Sequence, residues 1–351
     1  MNLKCRTCGK IYNTNNKIWQ CKCGGLLDLI ETTRFNPDQI NSTLFSIWRY
    51  AAFLPVKNAS IISFGEGITP IIKEDDNLFF KLDYIFPTGS FKDRGASVLI
   101  SKMNQLGISE AVEDSSGNAG KAIAAYCSKA GIHCQIVVPE NTSENKITAI
   151  RTTEAEINIV DGSRRLAAKI ALDLAKKTYY ASHVWNPFFL QGTKTIAYEL
   201  FEQFDRMPER IIVPVGNGTL ILGLFIGLID LASAGLLDNF PEIVGVQSVS
   251  CAPLVEIYND RHSEKVTWDC SETIAKGISV EQPARGAQIL DLIDKYNGQM
   301  VKVDEDEISR AYKKLQKKGY LIEPTSAVAF AACKKYFSDK IATLVILTGS
   351  N

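Results

Sequence analysis

The sequence predicts an α/β fold in which parallel or mixed sheets are flanked by helices. Two patterns lead to this prediction. From about Asn77 onward, short β-branched runs alternate with longer helical runs, and three glycine-rich turns each stand where a strand gives way to a helix. The chain has 351 residues, of which 46% are hydrophobic and 22% are charged. This length corresponds to about two domains of roughly 150 residues each, and the composition is that of a globular protein.

The individual elements follow from local pattern. Strands are assigned to short runs rich in valine and isoleucine. One helix is alanine-rich and ends in Lys-Ala-Gly, and another has Leu166, Ile170 and Leu174 spaced along a single face. In chain order, strands are predicted at residues 111–114, 133–139, 157–160, 211–214, 243–247 and 343–347, and helices at 120–131, 164–177 and 220–231.

Charge and hydropathy exclude several kinds of partner. Lysine and arginine number 39, as do aspartate and glutamate, so the chain lacks the basic excess that nucleic-acid binding normally requires. The longest apolar run, residues 220–229, is far shorter than the ~20 residues of a membrane span. Lys4, Cys5 and Arg6 occupy the place where a signal peptide needs an apolar stretch. We therefore expect a cytoplasmic protein with no membrane or nucleic-acid partner.

The nine cysteines fall into two groups. Four lie within the first 23 residues, and five are scattered at positions 127, 134, 251, 270 and 333. In a reducing compartment all nine are expected to be thiols or metal ligands and not disulfides. Cys5, Cys8, Cys21 and Cys23 form two knuckles that predict a tetrahedral zinc site. The second pair is separated by one residue where zinc ribbons usually have two, so loop thiols are the alternative.

The three glycine-rich segments carry the candidate chemistry. They are Pro-Thr-Gly-Ser-Phe-Lys-Asp-Arg-Gly at residues 87–95, Ser-Ser-Gly-Asn-Ala-Gly at 115–120 and Val-Pro-Val-Gly-Asn-Gly-Thr at 213–219. Helix N-termini offer free amides and a positive dipole end to anions. One such turn is more often a tight connection. Three of them together with Lys92, whose amine could act as a nucleophile, predict a site for anionic groups.

In this order and at these separations, the segments resemble the pyridoxal-phosphate enzymes of fold type II, and within them the threonine-synthase-like branch. The resemblance runs from Phe64 to Asn351 and is most specific around Lys92. It implies that Lys92 holds the cofactor covalently and moves protons on the substrate, and that Thr348 faces the pyridine nitrogen. Asn118 would contact the phenolic oxygen. The cofactor phosphate would be bound by Gly216, Asn217, Gly218 and Thr219, and the substrate carboxylate by Ser115, Ser116, Gly117 and Ala119. Residues 323–327 resemble a segment near the cofactor ring, without an assigned role.

The resemblance also implies a domain organisation and a homodimer. A cysteine-knuckle module at residues 1–30 is followed by a large pyridoxal-phosphate-binding domain made of residues 40–94 and 190–351, with a smaller domain at 95–189. His133, His183 and His262 have no ligand or triad spacing, so they and the scattered cysteines are expected to be structural.

The implied activity is that of a lyase in amino-acid biosynthesis, which converts O-phospho-L-homoserine and water to L-threonine and phosphate. A phosphorylated substrate needs a second anion site, for which the candidates are Thr88, Ser163, Arg164, Arg165, Lys169 and Lys194. Ala119 and Phe188 depart from the branch's pattern. They keep open β-replacement on O-phosphoserine, as in cysteate synthase, and a serine or threonine ammonia-lyase. A non-catalytic fold carrying a zinc-ribbon binding module is the alternative outside enzymology.

Overall fold

The computed structural model describes residues 1–260, 270–336 and 340–350, so His262 and Asn351 lie outside the described residues. The chain divides into two compact units. The first consists of Met1–Gly67 and Lys92–Thr195, and the second of Ile68–Phe91 and Ile196–Asn351.

The described residues form thirteen strands and eleven α-helices. The strands are β1 (Asn2–Cys5), β2 (Ile11–Asn13), β3 (Leu27–Ile30), β4 (Ile71–Asp75), β5 (Leu78–Leu82), β6 (Glu110–Glu113), β7 (His133–Pro139), β8 (Glu156–Val160), β9 (Tyr179–Tyr180), β10 (Arg210–Pro214), β11 (Glu242–Ser248), β12 (Gln299–Val303) and β13 (Thr343–Leu347). The helices are α1 (Lys92–Gln105), α2 (Asn118–Ala130), α3 (Glu144–Arg151), α4 (Arg164–Leu174), α5 (Pro187–Thr193), α6 (Thr195–Gln203), α7 (Thr219–Ser233), α8 (Pro253–Asn259), α9 (Gly286–Lys295), α10 (Glu305–Lys317) and α11 (Pro324–Tyr336).

The first unit contains two sheets. An antiparallel sheet of order β2-β1-β3 is formed by the N-terminal segment, and a parallel sheet of order β8-β7-β6-β9 follows it in the chain. Leu3, Cys5 and Leu27 of the first sheet belong to the same hydrophobic core as residues of α1 and α2. The N-terminal segment is therefore part of the first unit's core.

The second unit is built around one six-stranded sheet of order β12-β11-β10-β13-β5-β4. All neighbouring pairs are parallel except β4 with β5. Its strands β10 and β13 are buried on both faces and have a run of at least three aliphatic residues each, as expected for a parallel sheet covered by helices. The α/β fold with parallel and mixed sheets is thus confirmed.

The predicted elements match the observed ones to within a few residues. The strand predicted at 133–139 is β7, and the helix predicted at 120–131 is α2, which ends at Gly131 with a left-handed φ of 65°. The predicted domain boundaries stay a prediction. The two compact units differ from them at residues 40–67, which pack in the first unit, where the indole N–H of Trp48 donates to Ser97 of α1 at 3.0 Å.

The cysteine prediction is wrong for one pair. Cys251 and Cys270, 19 residues apart, form a disulfide. The backbone N–H of Ser271 donates to the carbonyl oxygen of Ser250 at 2.8 Å, which brings the two cysteine-bearing segments together. Sequence spacing carries no signal for this contact. The other scattered cysteines, at positions 127, 134 and 333, are buried thiols.

None of the helices in residues 1–260, 270–336 and 340–350 combines the length and the apolar character that a membrane-spanning helix requires.

Candidate functional site

Lys92 is the first residue of α1 and is half-buried. Its helix lies in backbone contact with α5. A Cβ on Gly95 would lie 2.3 Å from the Phe189 ring, and a Cβ on Gly192 would lie 1.9 Å from the carbonyl oxygen of Arg94. Because no side chain fits at either glycine, α1 is held closely against α5. The Lys92 side chain therefore extends from a rigid element.

A buried hydrogen-bond network fixes the first turn of this helix. The Tyr126 hydroxyl lies 2.9 Å from Glu66 Oε2 and 3.2 Å from Asp93 Oδ1. Glu66 also accepts a hydrogen bond from the Trp48 indole at 3.1 Å. Asp93 directly follows Lys92, and Tyr126 lies on α2, so the network ties the start of α1 to α2. Buried polar groups that are satisfied in this way make their elements more rigid.

The loop between β6 and α2 has the features of an anion site. Gly117 is the residue before the helix, and as a glycine it has no side chain with which to cap the helix start. Ser115 Oγ accepts from the Gly117 N–H at 3.3 Å, and a Cβ on Gly120 would lie 1.8 Å from the Ser115 carbonyl oxygen. Uncapped amides at a helix N-terminus can bind a carboxylate. The residues predicted to bind substrate here, Ser115, Ser116, Gly117 and Ala119, lie together with Asn118 in this loop and first helical turn.

A buried acid–imidazole pair lies at the end of β6, next to this loop. Glu113 Oε1 is 2.6 Å from His183 Nδ1, and Glu113 Oε2 is buried with no hydrogen-bond partner among the described residues. Burial raises the pKa of Glu113 well above its ordinary value, which Asp114 reinforces and Arg164 opposes. Burial also lowers the pKa of His183 well below its ordinary value, reinforced by the charges of Lys92 and Arg164. Both pKa shifts favour the uncharged forms of Glu113 and His183. The pair lies close enough to Lys92 for the lysine charge to act on His183.

Two glycines of the phosphate-loop candidate in the second unit lie where an added side chain would collide with neighbouring residues. A Cβ on Gly216 would lie 2.9 Å from the Gly277 carbonyl oxygen. Gly218 has φ +78°, and a Cβ there would lie 2.1 Å from Ile289 Cδ1. Thr219 is buried and begins α7. The four predicted phosphate-binding residues, Gly216, Asn217, Gly218 and Thr219, thus form one turn that leads into a helix N-terminus.

Thr348 lies directly after β13 and is 2% exposed. Its hydroxyl is 3.2 Å from Ser326 Oγ, and its carbonyl oxygen accepts from the Phe91 N–H at 3.0 Å. Ser326 belongs to the segment at 323–327 that had no role in the sequence analysis. Phe91, which makes this hydrogen bond to Thr348, directly precedes Lys92 in the chain.

The candidates for a second anion site are dispersed. Thr88 is buried in the second unit, and Lys194 is fully buried at the end of α5. Ser163 accepts from a backbone N–H and caps α4. On that helix the charge of Arg164 acts on Glu113 and His183, whereas the charge of Lys169 acts on Asp173. Arg165 is exposed.

The four N-terminal cysteines form one cluster. Their sulfur atoms all lie within 4.8 Å of one another. Cys5 Sγ is 3.5 Å from Cys23 Sγ, and Cys8 Sγ is 3.6 Å from Cys21 Sγ. Sulfurs bound to one tetrahedral zinc ion lie about 3.8 Å apart, given a Zn–S distance of about 2.3 Å. The Tyr12 hydroxyl lies 3.1 Å from Cys21 Sγ, and the Cys23 amide and Tyr12 lower the pKa of Cys21 to about 6. This donor set fits a metal ion.

Three groups of the candidate site were not predicted from the sequence. Ser326 lies in the segment at 323–327, which the resemblance singled out without a role, and Glu66 lies near the start of the resemblance at Phe64. Glu113 carried no signal, because its partner His183 is 70 residues away. His183, expected to be structural, has this carboxyl partner, whereas His133 is exposed and lies 3.2 Å from Glu156.

Comparison with known proteins defines the class. The family model described as pyridoxal-phosphate dependent enzyme matches residues 62–349, and the chain belongs to this family. It is 33% identical to threonine synthase of Methanocaldococcus jannaschii, covering 96% of this chain and 88% of that protein. It is 31% identical to threonine synthase of Methanosarcina acetivorans, covering 95% and 86%.

Among solved structures, the processed form of threonine deaminase isoform 2 from Solanum lycopersicum has the same fold. Its TM-score is 0.73 at 24% identity, over 92% of this chain and 88% of that one. The chain is therefore a fold type II, pyridoxal-phosphate-dependent lyase that is threonine-synthase-like.

The residues present fit this cofactor. The turn at 216–219 has no room for side chains at two glycines and opens a helix N-terminus, as a phosphate requires. Lys92 supplies an amine at the start of a rigid helix, and Thr348 supplies a buried hydroxyl.

Proposed function

We propose that the protein is a threonine synthase, which converts O-phospho-L-homoserine and water to L-threonine and phosphate. The observation that carries this proposal is the similarity to threonine synthases along nearly the whole chain. Phosphate leaves from the γ carbon, and water then adds at the β carbon. The bound cofactor would withdraw electrons from the substrate's α carbon and so acidify the α proton.

The chain's own residues have distinct parts in this proposal. Lys92 holds the cofactor and moves protons between the α and β carbons of the substrate. The backbone amides of the turn at Gly117 and the Ser115 and Ser116 hydroxyls bind the substrate carboxylate, and Asn118 contacts the cofactor's phenolic oxygen. Thr348 offers the ring nitrogen a neutral hydroxyl in place of a carboxylate, a pairing that favours elimination chemistry over transamination.

We assign the substrate phosphate to Arg164 in preference to the other cations. Arg164 is exposed, so it is accessible to a ligand, and its charge reaches the Glu113–His183 pair at the end of β6. Lys194, in contrast, is fully buried, and the charge of Lys169 acts on Asp173 of its own helix. A guanidinium can bind a phosphate through two parallel hydrogen bonds.

Arg164→Ala is expected to raise KM for O-phosphohomoserine about 10- to 100-fold, the loss of one charge-assisted hydrogen bond. The neighbouring Arg165→Ala is the matched control and is expected to change KM by less than about threefold. Steady-state kinetics of the cofactor-loaded protein measure both. Equal effects of the two variants would remove Arg164 from the assignment.

The substrate itself is tested by release of inorganic phosphate from O-phosphohomoserine and, separately, from O-phosphoserine, with identification of the amino-acid product. Phosphate and threonine from the first compound support the proposal. Phosphate from the second compound alone, and only with an added nucleophile, would instead assign β-replacement. Inactivity on both, with turnover of serine or threonine, would assign an ammonia-lyase.

We further propose that Cys5, Cys8, Cys21 and Cys23 bind one zinc ion in a structural role. Two backbone amides, those of Thr7 and Cys8, point at Cys5 Sγ at 3.4 and 3.5 Å. Amides directed at a sulfur stabilise its thiolate form, which is the form that binds metal. The homodimer stays a prediction that rests on the family resemblance, and the cytoplasmic location stays a prediction that rests on the sequence.

A further inference from the structure

Ser326 is fully buried near the start of α11, in the segment to which the sequence assigned no role. Its hydroxyl oxygen accepts two backbone hydrogen bonds, from the Thr348 N–H at 3.1 Å and from the Gly349 N–H at 2.8 Å. A serine hydroxyl has two acceptor lone pairs and one proton. Both lone pairs of Ser326 are therefore taken by backbone amides.

The proton of Ser326 has two acceptors within reach. The Gly349 carbonyl oxygen lies at 2.8 Å and Thr348 Oγ1 at 3.2 Å. Whichever of the two oxygens receives the Ser326 proton, Ser326 has no lone pair left to accept the hydroxyl proton of Thr348. Any hydrogen bond between the two hydroxyls therefore has Ser326 as the donor and Thr348 as the acceptor. Its own proton is consequently directed away from Ser326.

We propose that Ser326 is a positioning residue: by accepting the backbone N–H groups of Thr348 and Gly349, it holds Thr348 where its hydroxyl donates to the cofactor's pyridine nitrogen. The proposal rests on the role assigned to Thr348 under the proposed function, but it does not depend on the substrate. A nitrogen that accepts from a hydroxyl cannot itself carry a proton. Ser326 would thus act on the cofactor through Thr348.

The protonation state of the ring nitrogen tests the role of Thr348 on which the proposal rests. The wild-type holoenzyme is loaded with pyridoxal phosphate labelled with ¹⁵N in the ring, and its ¹⁵N resonance is recorded without substrate between pH 6 and 9. The expected signal is that of a hydrogen-bonded, unprotonated pyridine throughout. A pyridinium signal would overturn the proposal, and this measurement needs no variant that could fail to fold.

A double-mutant cycle then separates positioning from structural support. Ser326→Ala is expected to weaken cofactor binding about tenfold, the worth of one hydrogen bond, and to move the ¹⁵N resonance toward that of Thr348→Val. In the Thr348→Val background, Ser326→Ala is expected to change the cofactor dissociation constant by less than about twofold. Thr348→Ser keeps the hydroxyl and should keep the wild-type resonance.

Two results would contradict the proposal. One is a Ser326→Ala effect of equal size with and without the Thr348 hydroxyl, because Ser326 would then act through packing alone. The other is an unchanged ¹⁵N resonance in Ser326→Ala. These readouts use the holoenzyme without substrate, so an inactive protein in the phosphate-release assay leaves this test intact.

Discussion

The Glu113–His183 pair is the residue-scale feature with the clearest thermodynamic consequence. The pKa of Glu113 is raised from its ordinary value of 4.5, so its contribution to stability decreases as pH rises above 4.5. The pKa of His183 is lowered from 6.5, so its contribution decreases as pH falls below 6.5. Between pH 4.5 and 6.5 the two contributions change in opposite directions with pH. The net pH dependence of stability from the wild-type pair is therefore smaller than that from either group alone.

Single substitutions should expose the two opposing slopes. Relative to wild type, Glu113→Gln should make the free energy of unfolding rise with pH between 5 and 6, by up to about 1.4 kcal/mol per unit, because only His183 still titrates. His183→Gln should shift the slope by a similar amount in the opposite direction. Urea unfolding at pH 5.0, 5.5 and 6.0 measures both slopes.

The control for this comparison is His133→Gln, which removes an exposed histidine and should keep the wild-type slope. Parallel pH curves for Glu113→Gln and His183→Gln would show that the pair does not stay neutral in the folded protein.

At the scale of elements, the site depends on helices that begin at fixed backbone positions. The turn before α7 is the sharpest case, because Gly218 combines a left-handed φ with a Cβ position that overlaps fully buried Ile289 of α9. Gly235, after the same helix, has the same φ of +78°, but no atom lies within 4 Å of its Cβ position among the described residues. Substitutions at the two glycines therefore allow the effect of backbone strain to be distinguished from the effect of side-chain collision.

Gly218→Ala is expected to weaken pyridoxal-phosphate binding at least about tenfold, because relief of the collision moves either α9 or the phosphate turn. Gly235→Ala should cost only about 1 kcal/mol of stability from the left-handed backbone and leave cofactor affinity unchanged. Cofactor titration followed by absorbance, together with thermal unfolding, measures both variants. Equal cofactor affinities would mean that the turn tolerates a side chain.

At the scale of the whole molecule, the sequence was sufficient for features that depend on local pattern. Strands such as β7 and β13 are predicted because buried parallel strands are continuous apolar runs, and α2 because alanine-rich helices end at glycine. The pairing of Glu113 with His183, of Ser326 with Thr348 and of Cys251 with Cys270 was not predicted. Each contact joins residues 19 to 70 positions apart, and only tertiary packing brings them together.

The N-terminal segment is the other feature that local pattern could not resolve. The resemblance implied a cysteine-knuckle module at residues 1–30, and the structure places Leu3, Cys5, Tyr12, Cys21 and Leu27 in one core with α1 and α2. Trp19 packs edge-on against Tyr180 at a centroid distance of 4.9 Å, and Tyr180 donates to Asp114 at 2.7 Å. Asp114 directly precedes the loop proposed to bind substrate.

Zinc in the cysteine cluster should consequently stabilise the first unit as a whole. Cys23→Ser is expected to abolish binding of one zinc ion per chain, to lower the free energy of unfolding by several kcal/mol and to change Trp19 fluorescence. The adjacent exposed Lys22→Ser is the matched control and should retain metal and stability. Elemental analysis, urea unfolding and tryptophan emission provide the three readouts.

If Cys23→Ser matched Lys22→Ser in stability, the cluster would not contribute to the core. If the wild-type protein bound no zinc, the metal site proposed for the cluster would be wrong.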